Sequence, residues 1–214
     1  LQPLGAERTT MIEADSDPRM VLASGNRGKL AEIARVLADD HRIWISQSDF
    51  EVPEAEETGL TFIENAIIKA RNASAFTGLP ALADDSGLEV DALGGAPGIY
   101  SARYAGPGKG DAENNAKLLE ALSDYPEPEA RTARFRCVMV LLRHPADPAP
   151  IIAEGVWSGR IALAPRGTEG FGYDPVFVPV GESRHAAELP AAEKDAASHR
   201  GQALAALKAQ LSAL

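Results

Sequence analysis

Apolar positions along the chain switch between an unbroken or alternating pattern and a helical one. Met20-Val21-Leu22-Ala23 is a short apolar run, Ser24 to Gly28 is a glycine-bearing break, and Lys29 to Ala38 carries Leu30, Ile33, Ala34 and Leu37 on one stripe. This predicts a buried strand, a tight loop and a helix. Ile43 to Gln47 predicts a second strand, followed by an acidic loop from Glu51 to Gly59. Thr61 and Glu64 have the spacing of a capping box. The helix they start puts Phe62, Ile63, Ala66, Ile67 and Ala70 on one face and Glu64, Asn65, Lys69 and Asn72 on the opposite one. Leu79 to Ala83 is again apolar and ends on Asp84-Asp85, after which Ser86-Gly87 predicts a turn.

Farther on, Asp111 to Leu122 predicts a helix with Ala116, Leu119 and Leu122 inward. Arg134 to Leu142 and Ile151 to Leu163 are β-rich runs joined across Pro145 to Pro150, an expected antiparallel pair. Ser198 is placed to cap a last helix with Leu204, Leu207, Leu211 and Leu214 as its core stripe. Strands and helices intermixed in this way give an α/β protein, and 214 residues suffice for one sizeable core or one domain of two lobes.

Composition narrows the partners. A net charge of -10 argues against a surface that embraces nucleic acid, which needs clustered Lys and Arg. Any phosphate partner must be met in a local pocket, together with a divalent cation. The single cysteine, Cys137, lies in an apolar run and has no internal partner, so the chain fits a reducing cytoplasm, with Cys137 as a buried small hydrophobe. No apolar stretch reaches the ~18 residues of a membrane span, and no charged-then-apolar leader is expected. Residues 1–19 are polar, aperiodic and rich in acids, and are expected to be a flexible extension or an expression remnant outside a 20–214 domain.

Six places carry candidate chemistry. Neighbouring side chains of a strand point to opposite faces, so Asp84 and Asp85 enter one site only if the strand bends. One is expected to hold a metal and the other local backbone, with Asp85 the metal candidate because it adjoins the turn; a solvated pair capping that turn is the plainer alternative. The loop Ser24-Gly25-Asn26-Arg27-Gly28 ahead of Lys29 can aim backbone N–H groups and a helix N-terminus at a phosphate, although such turns also occur without any ligand. Gly167 to Pro175 frames Phe171, Tyr173 and Asp174 with three glycines, so a flat base could stack there, or the rings could simply pack. Lys194, His199 and Arg200 gather near a helix N-terminus, where cations gain nothing from the dipole and are expected to face an anion. Glu54, Glu56 and Glu57 precede another helix N-terminus, which favours acids with or without a metal. The aperiodic Gly94 to Gly106, with Tyr100, Arg103 and Tyr104, either lines a cleft or forms a subunit contact.

Taken together, SGNRGK at 24–29, EETGLTFIENAIIKA at 56–70, ADDSGLEVDALGGAPGIYSARYAG at 83–106, GFGYDP at 170–175 and SHRGQAL at 198–204 resemble the inosine/xanthosine triphosphate pyrophosphatases, which hydrolyse non-standard purine nucleoside triphosphates. The resemblance implies a mixed, twisted sheet with flanking helices, two lobes around a nucleotide cleft, a homodimer, and magnesium-dependent release of pyrophosphate. It implies Asp85 as general base and Mg2+ ligand, with Glu57 sharing the metal and Glu56 as the neighbouring alternative. It further implies that Ser24, Gly25, Asn26, Arg27, Gly28, Lys29 and Ser86 meet the triphosphate, Lys29 with a catalytic part in steadying it. Phe171, Gly172, Tyr173, Asp174, Lys194, His199 and Arg200 would surround base and sugar. A pyrophosphatase for another modified nucleotide and a catalytically silent nucleotide sensor are the rival readings.

Overall fold

A computed structural model describes residues 17–212. Most of the expected N-terminal extension, residues 1–16, and the expected core residue Leu214 lie outside them. A six-stranded sheet runs in the order β2-β1-β3-β4-β5-β6, built from β1 (Arg19–Leu22), β2 (Ile43–Ser46), β3 (Ala81–Val90), β4 (Thr132–Leu142), β5 (Ile151–Ile161) and β6 (Phe177–Pro179). β1 is parallel to both β2 and β3, whereas β3, β4, β5 and β6 pair antiparallel in succession, so the sheet is mixed. The chain enters it at Arg19, one residue before the expected boundary.

Among the described residues five α-helices flank the sheet: α1 (Arg27–Val36), α2 (Phe62–Thr77), α3 (Asp111–Ala121), α4 (Ala191–Ala197) and α5 (His199–Leu211). Their ends obey local rules. Thr61 accepts the Glu64 amide at the start of α2, Gly78 closes it in a left-handed conformation, and Ser198 accepts the Gly201 amide at the start of α5. The helices cover both faces of one half of the long strands. α2 packs with Ala81, Ala83, Val138 and Val140, and α1 and α5 pack with Leu82, Met139, Leu141 and Ala153 on the reverse. At the other end of the same strands Leu88, Val90, Phe135, Trp157 and Ile161 join Leu118 of α3 in a separate core. Two lobes therefore share β3, β4 and β5, and residues 84–87 lie where one core gives way to the other.

Three sequence expectations change here. β3 does not turn at Ser86-Gly87; it continues to Val90, paired with β4 throughout. Gly87 serves close approach instead, since a Cβ on it would lie 2.3 Å from the Gly98 carbonyl oxygen and 2.7 Å from Ser101 Oγ. That contact docks the 98–103 segment, a 3-10 helix where no helical period was expected, on β3, and Ser101 Oγ accepts the Leu88 amide at 2.9 Å. In α1 and α3, Ala34 and Ala116 are exposed, while Glu32, Asn114 and Asn115 are buried. In α2, Asn65 is fully buried rather than on a solvated face. Helical periodicity finds an apolar stripe but cannot distinguish water from a polar cleft on its flank.

Gly87→Ala is expected to force the Gly98 carbonyl away from β3 at the ~1–3 kcal/mol of an overpacked core. Thermal unfolding should show a Tm lower by about 5 °C, and an unchanged Tm would mean that the 98–103 segment is not held by this contact.

Candidate active site

Because β3 stays extended, its alternation sends the two aspartates to opposite faces. Asp85 follows Ala81 and Ala83 toward α2. There its Oδ2 accepts the Asn65 side-chain amide at 3.3 Å and its Oδ1 faces Lys69 Nζ at 3.2 Å. Lys69 Nζ also lies 3.1 Å from Glu57 Oε1, and Arg103 reaches Glu57 Oε2 at 3.2 Å. One ammonium thus joins a carboxylate of the strand to one of the acidic loop. Neither Lys69 nor Asn65 stood out in the sequence, where both fall on the polar flank of an amphipathic helix.

Asp84 follows Leu82 toward α1 and α5, and it is bound by side chains rather than holding local backbone. Its Oδ2 lies 3.1 Å from Lys29 Nζ, 3.5 Å from both Nε and Nη2 of Arg200, and 3.3 Å from Ser86 Oγ, which donates to it. Arg200 also donates to Glu32 and, at 2.9 Å, to Ser86 Oγ. Lys194 donates to the same Glu32 at 2.8 Å and to Asp174. The anions that Lys194 and Arg200 face are therefore the protein's own, gathered from α1, β3 and the 167–175 loop. Glu32 is the residue missed in the sequence, a buried acid beside the apolar Ile33 of α1.

Two adjoining cavities open on these groups. The larger, about 530 Å³, is lined by Ser24, Gly25, Asn26, Glu54, Glu56, Glu57, Lys69, Asp85 and Arg103. The smaller, about 170 Å³, is lined by Asp111, Phe135, Phe171, Gly172, Asp174, Lys194, His199 and Arg200. Asn26, Lys29, Ser86 and Ala102 line both. Arg27 and Gly28 line neither; Gly28 leaves room for the Phe171 ring, which a Cβ would meet at 2.6 Å. The Phe171 ring lies below Lys194 Nζ at 5.0 Å and the Arg200 guanidinium at 5.6 Å. Tyr173 also lines the smaller cavity but is buried in the second core with its hydroxyl donating to the Ser101 carbonyl, whereas the Phe171 ring is only half-buried. His199 stacks on Phe135 at 4.7 Å, and its Nδ1 has no partner among the described residues.

The sequence pattern of the Ham1 family matches residues 20–210. The chain belongs to the Ham1 family. A dITP/XTP pyrophosphatase of Thioalkalivibrio sulfidiphilus is 62% identical over 90% of this chain and 98% of its own length. One of Shigella flexneri is 59% identical over 87% and 94%. A solved HAM1 protein of Coxiella burnetii superposes with a TM-score of 0.85 at 54% identity, covering 92% of this chain and 99% of that one.

The ion pairs of this Ham1 site balance one another. Five ion-paired carboxylates, Glu32, Glu57, Asp84, Asp85 and Asp174, face five cations, Lys29, Lys69, Arg103, Lys194 and Arg200. A polyanion entering it needs a further cation. Among the described residues no group of three or more His, Cys, Asp or Glu side chains could hold a metal ion. Magnesium asks for less, since one or two carboxylates with substrate phosphates and water complete its oxygen shell. Asp85 and Glu57 are two carboxylates already brought to a shared ammonium, that of Lys69.

The two aspartates differ electrostatically. Burial raises the proton affinity of Asp84, but the charges of Lys29, Arg200 and Lys69 outweigh it and hold the carboxyl well below its usual range. For Asp85 burial wins over Lys69 and Lys29, with Glu57 and Asp84 repelling as well, and its pKa is raised. His199 is kept neutral by burial and by Arg200, Lys194 and Lys29.

Asp84 ionised contributes stability above its unfolded pKa, lost as pH falls through the lower folded value; Asp85 ionised costs stability once pH rises above its unfolded pKa. At neutral pH, Asp84→Asn should lose the ~3–5 kcal/mol of breaking a buried pair, a Tm drop on the order of 10 °C. Asp85→Asn should leave Tm unchanged or higher. Thermal unfolding of both variants checks the opposite signs, and a matching loss in the two would refute them.

Proposed function

We propose that this Ham1 protein hydrolyses non-standard purine nucleoside triphosphates, ITP, dITP and XTP, to the nucleoside monophosphate and pyrophosphate with Mg2+ as cofactor, in the cytoplasm and as a homodimer. The observation that carries the reading is Asp85, a strand carboxylate of raised pKa opposite Glu57, facing a cavity large enough for three phosphates and joined to a smaller one fit for a base. The names of the relatives, dITP/XTP pyrophosphatase, agree with it.

The triphosphate takes the larger cavity. Asn26 caps α1 by accepting the Lys29 amide at 3.0 Å, so the loop Ser24 to Asn26 ends on a helix N-terminus that favours a phosphate. Lys29 and Lys69 neutralise phosphate oxygens there. Mg2+ held by Asp85 and Glu57 would spread the remaining phosphate charge and make water more acidic. Asp85 accepts the proton of the attacking water as pyrophosphate leaves the α-phosphorus. A raised pKa makes its carboxylate a stronger base than a solvated aspartate.

The base takes the smaller cavity, stacked on Phe171. Arg200, Lys194 and neutral His199 provide donor and acceptor positions around it, suited to the 6-carbonyl of hypoxanthine or xanthine rather than the amino group of adenine. An unpaired buried polar group costs ~1–3 kcal/mol, and two such mismatches give discrimination on the order of 10²-fold. Subunit contact falls to the 94–106 segment, where Tyr100 is 55% exposed and Arg103 stacks on its ring at 5.3 Å. Cys137, a buried free thiol with its pKa pushed up to about 12, is inert and fits a reducing compartment.

Pyrophosphate release from ITP, XTP, dITP, ATP, GTP and a modified pyrimidine triphosphate tests the reading. The three non-standard purines should lead ATP by ~10²-fold in kcat/KM, and Asp85→Asn should lose ~10²–10⁴-fold in kcat while remaining folded. Preference for ATP or for the pyrimidine, or a variant within a few-fold of wild type, would overturn it. Light scattering at micromolar concentration should give twice the chain mass, and a monomer would remove the proposed contact.

A further inference from the structure

Asp84 lines neither cavity, yet it touches the groups that line both. Its side chain is fully buried and its Oδ1 has no hydrogen-bond partner among the described residues. Everything bound to it converges on Oδ2: the ammonium of Lys29, two nitrogens of Arg200 and the hydroxyl of Ser86. Lys29 belongs to the phosphate cavity and to its junction with the base cavity, whereas Arg200 belongs to the base cavity alone.

One oxygen serves these two cations unequally. Lys29 stands at 3.1 Å, but both nitrogens of Arg200 stand at 3.5 Å, well beyond the ~2.7–2.9 Å of a charge-assisted hydrogen bond. Arg200 spends its better donors on Glu32 and Ser86. We infer that Asp84 is a positioning residue that couples the two halves of the nucleotide, with Lys29 and Arg200 competing for its Oδ2. Phosphate oxygens draw Lys29 away from Asp84, the freed oxygen takes Arg200 more closely, and the guanidinium then sits where a base in the smaller cavity meets it. By reciprocity a base that holds Arg200 leaves Lys29 freer for phosphate. Nucleotide carrying both halves would then be favoured over either half alone. The inference rests on the function proposed above and goes beyond it, since it concerns a residue that reaches neither base nor phosphate.

The test separates the halves. Calorimetry in the presence of Mg2+ measures the affinity for inorganic tripolyphosphate with and without saturating inosine. Wild type is expected to bind tripolyphosphate about 5-fold or more tightly when inosine is present, within the usual range of such couplings, and Asp84→Asn should bring that ratio close to one. A ratio of one in wild type, or the same ratio in the variant, overturns the role of Asp84. Should Asp84→Asn fail to fold, a cycle of Lys29→Met and Arg200→Lys in the presence of native Asp84 replaces it. Their losses in kcat/KM for ITP are expected to depart from additivity by about 5-fold or more, and additive losses overturn the role. ITP turnover by wild type is read in the same preparations. Coupling absent with turnover intact overturns only the role of Asp84, whereas no turnover overturns the function on which it rests, and the role with it.

Discussion

The site depends on β3 crossing from one hydrophobic core to another without a break. A strand that stays paired with β4 along its whole length must present successive side chains to opposite faces, and at residues 84–87, beyond its short pairing with β1, neither core is there to receive them. Charged side chains can be buried at such a place only if each finds a partner. Asp84 finds Lys29 and Arg200 on one face, and Asp85 finds Lys69 and Asn65 on the other. Arrangement of the surrounding helices follows: α1, α4 and α5 bring Lys29, Lys194 and Arg200 to the first face, and α2 brings Lys69 to the second.

This division gives two adjacent carboxylates different work. Enclosure by cations makes Asp84 a permanently ionised anchor that contributes to stability. Burial with weaker compensation makes Asp85 a carboxylate that costs stability while ionised, which is the condition under which it can take a proton at the larger cavity. Stability is given up at Asp85, the carboxylate proposed as base, and gained at the ion-paired anchor one residue earlier.

Electrostatic balance also explains how a chain of net charge -10 can host a polyanion. The cleft sets five cations against five ion-paired carboxylates. Within it the ion pairs are closed among themselves, and Glu54 and Glu56 on the rim add negative charge. On the proposed reading, entry of phosphates goes with a divalent cation and with rearrangement of ammonium groups already present. Lys69, shared between Asp85 and Glu57, is the ammonium placed nearest to that exchange.

Local rules were legible in the amino-acid sequence because they act over a few residues. The caps at Thr61 and Ser198, the apolar stripes of α2 and α5, the antiparallel pairing of β4 with β5 and the burial of Cys137 all follow from neighbours along the chain. The motifs that resemble the pyrophosphatases also singled out Asp85, Glu57 and Lys29. What the sequence left open is which polar residues leave water. Ser86-Gly87 has turn composition but stays in a strand, because the distant 98–103 segment packs on Gly87. Glu32 occupies an unremarked helix position until Arg200, 168 residues away, binds it, and Asp84 meets that same guanidinium across 116 residues. Asn65 and Lys69 share a polar flank with exposed Glu64, and only the course of β3 beneath them makes one flank solvent and the other a cleft. Periodicity along a chain fixes what a segment can become, whereas the burial and pairing of a charge depend on surfaces contributed from elsewhere, which only the tertiary structure brings together.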